Sequence, residues 1–594
     1  MNLCSSIMDC LPGRGDAASP KVNVSCGMLL GRARETNQGT EYVSFTKIPY
    51  ALPPTGRLRF RKPLPADDWQ EVYRAKSKCS RPLQLNKLIG NRVIGQEDCL
   101  HLNVYTPDLP ITENQTKLPV MVWLYGGEFV MGDASEDMQL PEHIMDNGQV
   151  VVVTVNYRSG PLGYLCLESE KAPGNLALWD QNMALHWVKQ NIAAFGGDPN
   201  NVTLVGEGSG AVCACYHLIS PRSAGLLHKL IIMSGSLASL AYHSDREPVD
   251  IARQFAKKLG CANIESPDAI LQQLQELNAE DIVGASACLQ EWSHFSPNPW
   301  LPVVDAGFLK EPFIPGHPFE VIAKGKINKL PLIFGSTLDE GIYFASSFLG
   351  SEPISLGPQL AENWPLILGG ILLNRSGSKF DASDISTITK IKEFYLGDDA
   401  EFNRENKQKL IQMFGDAFTF GGNEMFCKLI NSVSAQPIYQ YSYEFLGSCQ
   451  FGELITYPPK NALSKVMLDK IGLKIHSSKE EGVSHGDDHF CFFSSNLPMM
   501  GKSFSKGTDG KVSDRMVQLW VNFSKFANPT PNQNDPHLGR LTWDPVKGDK
   551  RPYLALSTKF EVREFSADLK CRSGFWIGLI ESQQERKKAP LPDS

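Results

Sequence analysis

Long hydrophobic runs are missing from this 594-residue chain. Its most apolar stretches, Leu118–Tyr125 and Val150–Val155, fall far short of the roughly 20 residues that span a bilayer. No transmembrane segment is expected. A basic excess is missing too. Lys and Arg number 58 against 65 Asp and Glu, a formal net charge of −7. That argues against a nucleic-acid partner, whose footprint is a basic patch. The first residues, MNLCSSIMDCLPGRGD, have neither the basic start nor the apolar core of a secretory signal, so the expected location is cytoplasmic. The 14 cysteines form no CxxC pair and are expected there as mostly buried thiols. Five Asn-x-Ser/Thr sequons, at Asn23, Asn114, Asn201, Asn374 and Asn522, would carry glycans only in a secreted chain. No repeat, low-complexity tract or Ser/Gly linker divides the sequence. One large domain over 22–575 is expected, with poorly packed tails at 1–21 and 576–594.

What is present is ordinary globular composition, 42% hydrophobic and 21% charged, with a clear alternation in its first half. Leu118–Tyr125 is apolar and β-rich and stops at Gly126-Gly127. Val150–Asn156 reads as a strand buried on both faces. Leu178–Ala194 has helical spacing and breaks at a Gly-Gly-Asp-Pro turn. Val202–Val205 reads as a strand, Ala211–Ile219 as a helix and Leu230–Met233 as a strand again. Strands separated by helices imply parallel pairing through right-handed crossovers, in an open sheet covered by helices.

The strand–turn–helix over Val202–Ile219, VTLVGEGSGAVCACYHLI, fits two motifs. Gly206, Gly208 and Ala211 satisfy the dinucleotide fingerprint. That motif also needs an acidic residue about 20 positions on, and the next one after Glu207 is Asp245, beyond the following strand. The other motif is the nucleophile elbow GxSxG. Gly206 and Gly210 are spaced for it, but the residue between them is Gly208, with Ser209 one position late.

Together with YALPPTGRLRFRKP (Tyr50–Pro63), EDCLHLNVYTP (Glu97–Pro107), YGGEF (Tyr125–Phe129), NYRSGPLGY (Asn156–Tyr164), Ser234-Gly235-Ser236, Asp339-Glu340-Gly341 and GVSHGDD (Gly482–Asp488), the elbow resembles the type-B carboxylesterase and cholinesterase family. The insect intracellular α-esterases are the most similar branch. The resemblance implies an α/β-hydrolase fold with a large, mostly parallel mixed sheet flanked by helices. It implies carboxylic-ester hydrolysis by Ser, Glu and His, with three backbone N–H groups as oxyanion hole. Carried over, Glu340 matches the triad acid and His485 the base. Gly208 stands in the nucleophile's place. Gly127, Glu128 and Ser209 match the oxyanion hole, where the family has Gly at the position of Glu128. Ser234 matches a serine near the acid and base. Cys79 and Cys99 match a disulfide loop of secreted members. Cys261 matches half of a second loop whose partner region, Leu271–Leu277, has no Cys. Arg59–Glu97 and Arg158–Asp180 match two buried ion pairs.

Gly208 cannot form an acyl-enzyme, and a Glu128 carboxylate about 5 Å from a developing oxyanion would oppose it by roughly 3 kcal/mol at an effective dielectric near 20. The expected function is therefore a carboxylesterase-fold protein deficient in ordinary serine-esterase catalysis, which binds or sequesters a small lipophilic or ester-like ligand. Two alternatives stay open. One is an active carboxylic-ester hydrolase using Ser209, or water activated by His485 or Glu128. The other is a cholinesterase-like adhesion or interaction protein with a protein partner. Cys213 and Cys215 read as small buried hydrophobes. No cofactor is implied. His485 and His489, with Asp487 and Asp488, have metal-like spacing but no HExxH and no third ligand, so no metal is expected.

Overall fold

Valine-rich runs bounded by glycine become the centre of one large sheet. The computed structural model describes residues 19–86, 92–112, 115–289, 291, 298–349, 357–398, 401–451, 482–495, 506–548 and 550–588. Eleven strands make up the sheet: β1 (Arg32–Glu35), β2 (Glu41–Pro49), β3 (His101–Thr106), β4 (Leu118–Leu124), β5 (Val151–Val155), β6 (Gly197–Glu207), β7 (Lys229–Met233), β8 (Leu332–Thr337), β9 (Ile438–Tyr443), β10 (Pro552–Leu556) and β11 (Phe560–Glu564). Their spatial order is β1-β2-β3-β5-β4-β6-β7-β8-β9-β10-β11. Every pair from β5 through β10 is parallel, and the pairs at both edges are antiparallel. β5 and β7 are buried at every residue, as strands covered on both faces must be.

The expected strands and helices stand, with shifted ends. β6 begins at Gly197, before the expected Val202, and the helix after it, α2 (Ser209–Ile219), starts two residues earlier than expected. The helix between β5 and β6 is α1 (Leu176–Asn191). Later in the chain α3 (Gly507–Phe526) packs on β4 and β6. Among the described residues no helix is long and apolar enough to cross a membrane.

The C-terminal tail needs correction. Residues 576–588 belong to α4 (Ala567–Lys588). Trp576 and Ile580 are buried, the Trp576 indole N–H donates to Tyr395 Oη at 2.7 Å, and Gln583 donates to Thr387 at 2.9 Å. The charged residues that suggest a solvated tail lie on a helix whose other side is held by the core. Of the N-terminal tail, residues 1–18 lie outside the described residues, and Lys21–Val24 pairs as a strand with Gly27–Leu30. Two sequons are closed off as well. Asn374 and Asn522 are buried, and each side chain is held by backbone groups, of Asn298 and Pro529 respectively. Asn114 lies outside the described residues.

Both expected ion pairs are present. Arg59 grips Glu97 through two nitrogens at 2.6 and 2.8 Å, and Arg158 grips Asp180 at 2.8 and 2.6 Å. The second pair is wholly buried, so its worth lies in geometry: either partner alone would be an uncompensated buried charge. Cys79 and Cys99 are buried and not joined by a disulfide, and Cys79 Sγ accepts from Asn156 Nδ2 at 3.1 Å.

Candidate functional site

One residue separates β6 from α2. Gly208 sits there at φ +54° and ψ −121°, a backbone state costly for any residue with a Cβ. The turn is closed by backbone contacts that explain its other glycines. A Cβ on Gly206 would lie 2.3 Å from the Gly210 carbonyl oxygen, and one on Gly210 would lie 2.2 Å from that of Leu124. The elbow thus keeps its tight form without a serine at its tip. A Cβ on Gly208 would point at His485, 3.2 Å from Nε2. The tip faces the imidazole directly.

His485 lies on the turn before the short helix Asp487–Cys491. Its Nδ1 bonds Glu340 Oε2 at 2.6 Å. Glu340, just after β8, is buried and also accepts from Ser234 Oγ at 2.6 Å, from the Thr337 N–H at 2.7 Å and from Thr419 Oγ1 at 3.3 Å. Burial alone would raise its pKa, but the His485 charge and these donors hold it below the usual carboxylate range. For His485, burial pulls downward. The Glu340 charge and hydrogen bond outweigh it, with help from Glu207 and Asp488, and lift the imidazole to about 9. The shift favours the imidazolium at neutral pH, the form whose Nε2–H faces Gly208. Its side chain is 28% exposed, and Gly126, Gly127 and Glu128 are also partly open.

The loop that carries two of the expected oxyanion positions, Gly127 and Glu128, runs beside the same tip, with Gly126 Cα 3.8 Å from where a Cβ on Gly208 would lie, and the third, Ser209, follows Gly208 directly. The loop after β4 carries three successive positive φ angles, at Gly127, Glu128 and Phe129. Three of its carbonyls are occupied: Gly127 accepts from the Val130 and Met131 N–H groups, Glu128 from Asn298 and Phe129 from the Gly160 N–H. That fixes the peptide planes following these three residues, the first of which carries the Glu128 N–H. Among the described residues no protein acceptor takes the N–H of Gly127 or of Ser209, the latter being an orphan donor of the first turn of α2. Glu128 Oε1 accepts from Tyr343 Oη at 2.7 Å. Burial first, and then the Glu128 charge, push the Tyr343 and Tyr242 hydroxyls upward. Ser209 is buried at the start of α2 and makes no hydrogen bond with His485 among the described residues.

Sequence reasoning misses a second histidine–carboxylate pair behind the first. His489 Nδ1 meets Glu207 Oε2 at 3.0 Å, and its Nε2 meets the Met138 carbonyl at 2.9 Å. A carbonyl can only accept, so Nε2 donates. With the carboxylate on Nδ1, both nitrogens carry protons. His489 is therefore a buried cation tying the elbow to the loop before Leu140. Asp488 beside it accepts from Tyr441 Oη at 2.8 Å, and burial and then Glu207 raise it to about 7. The spacing of His485, Asp487, Asp488 and His489 thus serves two separate pairs. Among the described residues no three His, Cys, Asp or Glu side chains are grouped to hold a metal. Cys213 and Cys215 are buried in α2 with their thiol pKa values pushed up by burial, to about 11 and 12.

A model described as "Carboxylesterase family" matches residues 18–574. The juvenile hormone esterase of Tribolium castaneum is 32% identical over 545 residues, covering 89% of this chain and 86% of that protein. Esterase FE4 of Myzus persicae is 32% identical over 554 residues, covering 92% and 91%. Among solved structures, juvenile hormone esterase from Manduca sexta, with OTFP covalently attached, superposes with a TM-score of 0.78 at 26% identity, over 95% of this chain and 100% of that one. The fold is an α/β-hydrolase.

Proposed function

Because the chain belongs to the carboxylesterase family, we propose that it keeps the ligand site of an ester hydrolase and has given up ordinary serine-esterase catalysis. The observation that carries this reading is the face-to-face placement of Gly208 and His485. A nucleophile would need to start from a Cβ 3.2 Å from Nε2, and the residue there has none. The base has no hydroxyl to deprotonate, and its raised pKa keeps it charged at neutral pH. The Glu340–His485 bond is present, and among the described residues the N–H groups of Gly127 and Ser209 take no acceptor, so a small lipophilic or ester-like ligand has polar groups to meet. Ser209 does not make good the loss, because its hydroxyl lacks the hydrogen bond to a base that activates such a nucleophile.

The test is pre-steady-state mixing with p-nitrophenyl butyrate. The expected trace has no burst of p-nitrophenolate. A burst stoichiometric with protein would overturn the proposal and return Ser209 to the nucleophile's role. Water activated by His485 is the alternative with most support, since among the described residues Nε2 has no protein partner. It requires the neutral imidazole, and its rate would climb with pH toward about 9 without any burst.

We also propose a cytoplasmic location, in which Cys79 and Cys99 remain thiols. Alkylation of denatured protein from its native cells should modify both. A Cys79–Cys99 disulfide would place the chain in an oxidising compartment.

A further inference from the structure

The vacated elbow has the shape of a receptor for a free carboxylate. In an acyl-enzyme two oxygens are bonded to one carbon. One belongs to the serine side chain, and the other rests against the backbone N–H groups. A carboxylate anion presents the same two oxygens on one carbon. With glycine at 208, the first oxygen is no longer supplied by the protein and must arrive with the ligand.

We propose that the space between Gly208 and His485 binds the carboxylate of a lipophilic monocarboxylic acid. One oxygen takes the serine hydroxyl's place against His485 Nε2, and the other sits against the N–H groups of Gly127 and Ser209. This deepens the proposed function and rests on it.

Four observations converge on this arrangement. Among the described residues His485 commits only Nδ1, to Glu340, and a Cβ on Gly208 would sit 3.2 Å from Nε2, so a ligand oxygen in a side chain's place lies within reach of that nitrogen. The N–H groups of Gly127 and Ser209 have no acceptor among the described residues. The loop that carries the first is braced by occupied carbonyls at Gly127, Glu128 and Phe129. His485 is charged at neutral pH, and a charge-assisted hydrogen bond to an anion is about twice as strong as a neutral one. An ester would place an alkoxy oxygen in the same position, a weaker acceptor with no charge, and would force its alkyl group against the ring. The site therefore prefers acid over ester, the reverse of a hydrolase's substrate preference. The aromatic border suits an apolar tail: the Tyr343 ring lies 6.3 Å from that of His485, next to the Phe344–Phe418 stack at 3.7 Å. Glu128 works against the anion. Its carboxylate is held by Tyr343, and it sets a ceiling on affinity that Glu128→Gln should lift by about tenfold.

The groups facing His485 are Glu340 on Nδ1, Glu207 and Asp488 behind it and Tyr343 at its edge, with the His489 cation beyond Glu207. Only the loss of the His485 proton removes the donor to the ligand, so acid binding should fade as pH rises through about 9.

Isothermal titration of the full chain at pH 7 with octanoate and with methyl octanoate tests this. Octanoate should bind at least about tenfold more tightly than its ester, and His485→Gln and Gly208→Ser should each weaken octanoate by about tenfold or more. If either variant fails to fold, the wild-type chain at pH 7 and pH 10 gives the same answer, with octanoate affinity falling and ester affinity steady. Equal or tighter binding of the ester, no binding of octanoate, or octanoate binding indifferent to both substitutions and to pH would overturn the proposal. Ester bound intact with no acid bound would refute only this inference. Turnover of methyl octanoate with a burst would refute the non-catalytic reading beneath it.

Discussion

On the proposed reading the two halves of the catalytic apparatus have met different fates, and energetics explains why. On one side, Glu340 and His485 sit in a web of hydrogen bonds from Ser234, Thr337 and Thr419. Removing either partner would strand a buried charge. On the other side, the tip of the elbow is a residue at φ +54°. Replacing a side chain by glycine there relieves strain rather than creating it. Chemistry needs both halves, but stability needs only the first. Loss of the nucleophile is conformationally cheap, while loss of the acid–base pair is not. The same asymmetry holds in the loop after β4. Glu128 has a positive φ of 55°, an unfavourable state for a residue with a side chain, and is compensated there by its bond to Tyr343.

The largest effect should come from rebuilding the missing half. Gly208→Ser combined with Glu128→Gly should raise esterase turnover by about 10³-fold or more, since losing a triad serine typically costs about 10⁶. The gain should far exceed the product of the two single changes, because nucleophile and oxyanion hole act on one intermediate. A double variant that folds and stays inactive would mean that the retained half is no longer competent. Steady-state hydrolysis of an aryl ester gives the answer.

Breaking the retained half should be costly in stability. Glu340→Ala should destabilise by about 3 kcal/mol, the cost of leaving a buried partner unpaired, measured by urea unfolding at pH 7. The sign of the pH dependence follows from the shifts. His485 is raised in the folded state, so its contribution is complete below its ordinary value of 6.5 and is lost as pH rises through about 9. Glu340 is lowered, so its contribution is present above its ordinary value of 4.5 and is lost as pH falls through its folded pKa. His485→Gln should flatten the alkaline part of the wild-type unfolding profile; an unchanged profile would sever the link between this pair and stability.

The smallest effect belongs to the elbow itself. Gly208→Ala should destabilise by about 1 kcal/mol through its positive φ, with a little added by the 3.2 Å approach to His485 Nε2. Thermal unfolding reads this. A stabilised variant would show that the turn relaxes, and the cheapness of the glycine would need another explanation.

Much of the fold was legible because buried parallel strands write themselves as apolar runs between glycines. β4, β5 and the elbow are such runs. The candidate site was legible only in pieces. Glu340 and His485 are 145 residues apart, and no local pattern joins them; family resemblance does. Ser234 came by the same route. Tyr343 and the Glu207–His489 pair were missed, because a tyrosine three positions after an acid and a histidine four after another look unremarkable until the chain folds. The one available signal for the pair was a glutamate inside the elbow motif. The C-terminal helix was misread because its charged residues mask Trp576 and Ile580, whose i,i+4 spacing marks the buried side. Asn374 and Asn522 fit a sequon, yet burial overrides the motif.

The most direct measurement is intact-mass spectrometry of the folded chain after prolonged exposure to a fluorophosphonate, with peptide mapping of any adduct. An elbow without a nucleophile predicts unmodified protein, beside a Gly208→Ser, Glu128→Gly variant that gains one phosphonyl group on the new serine. A stoichiometric adduct on Ser209 of the unaltered chain would contradict it.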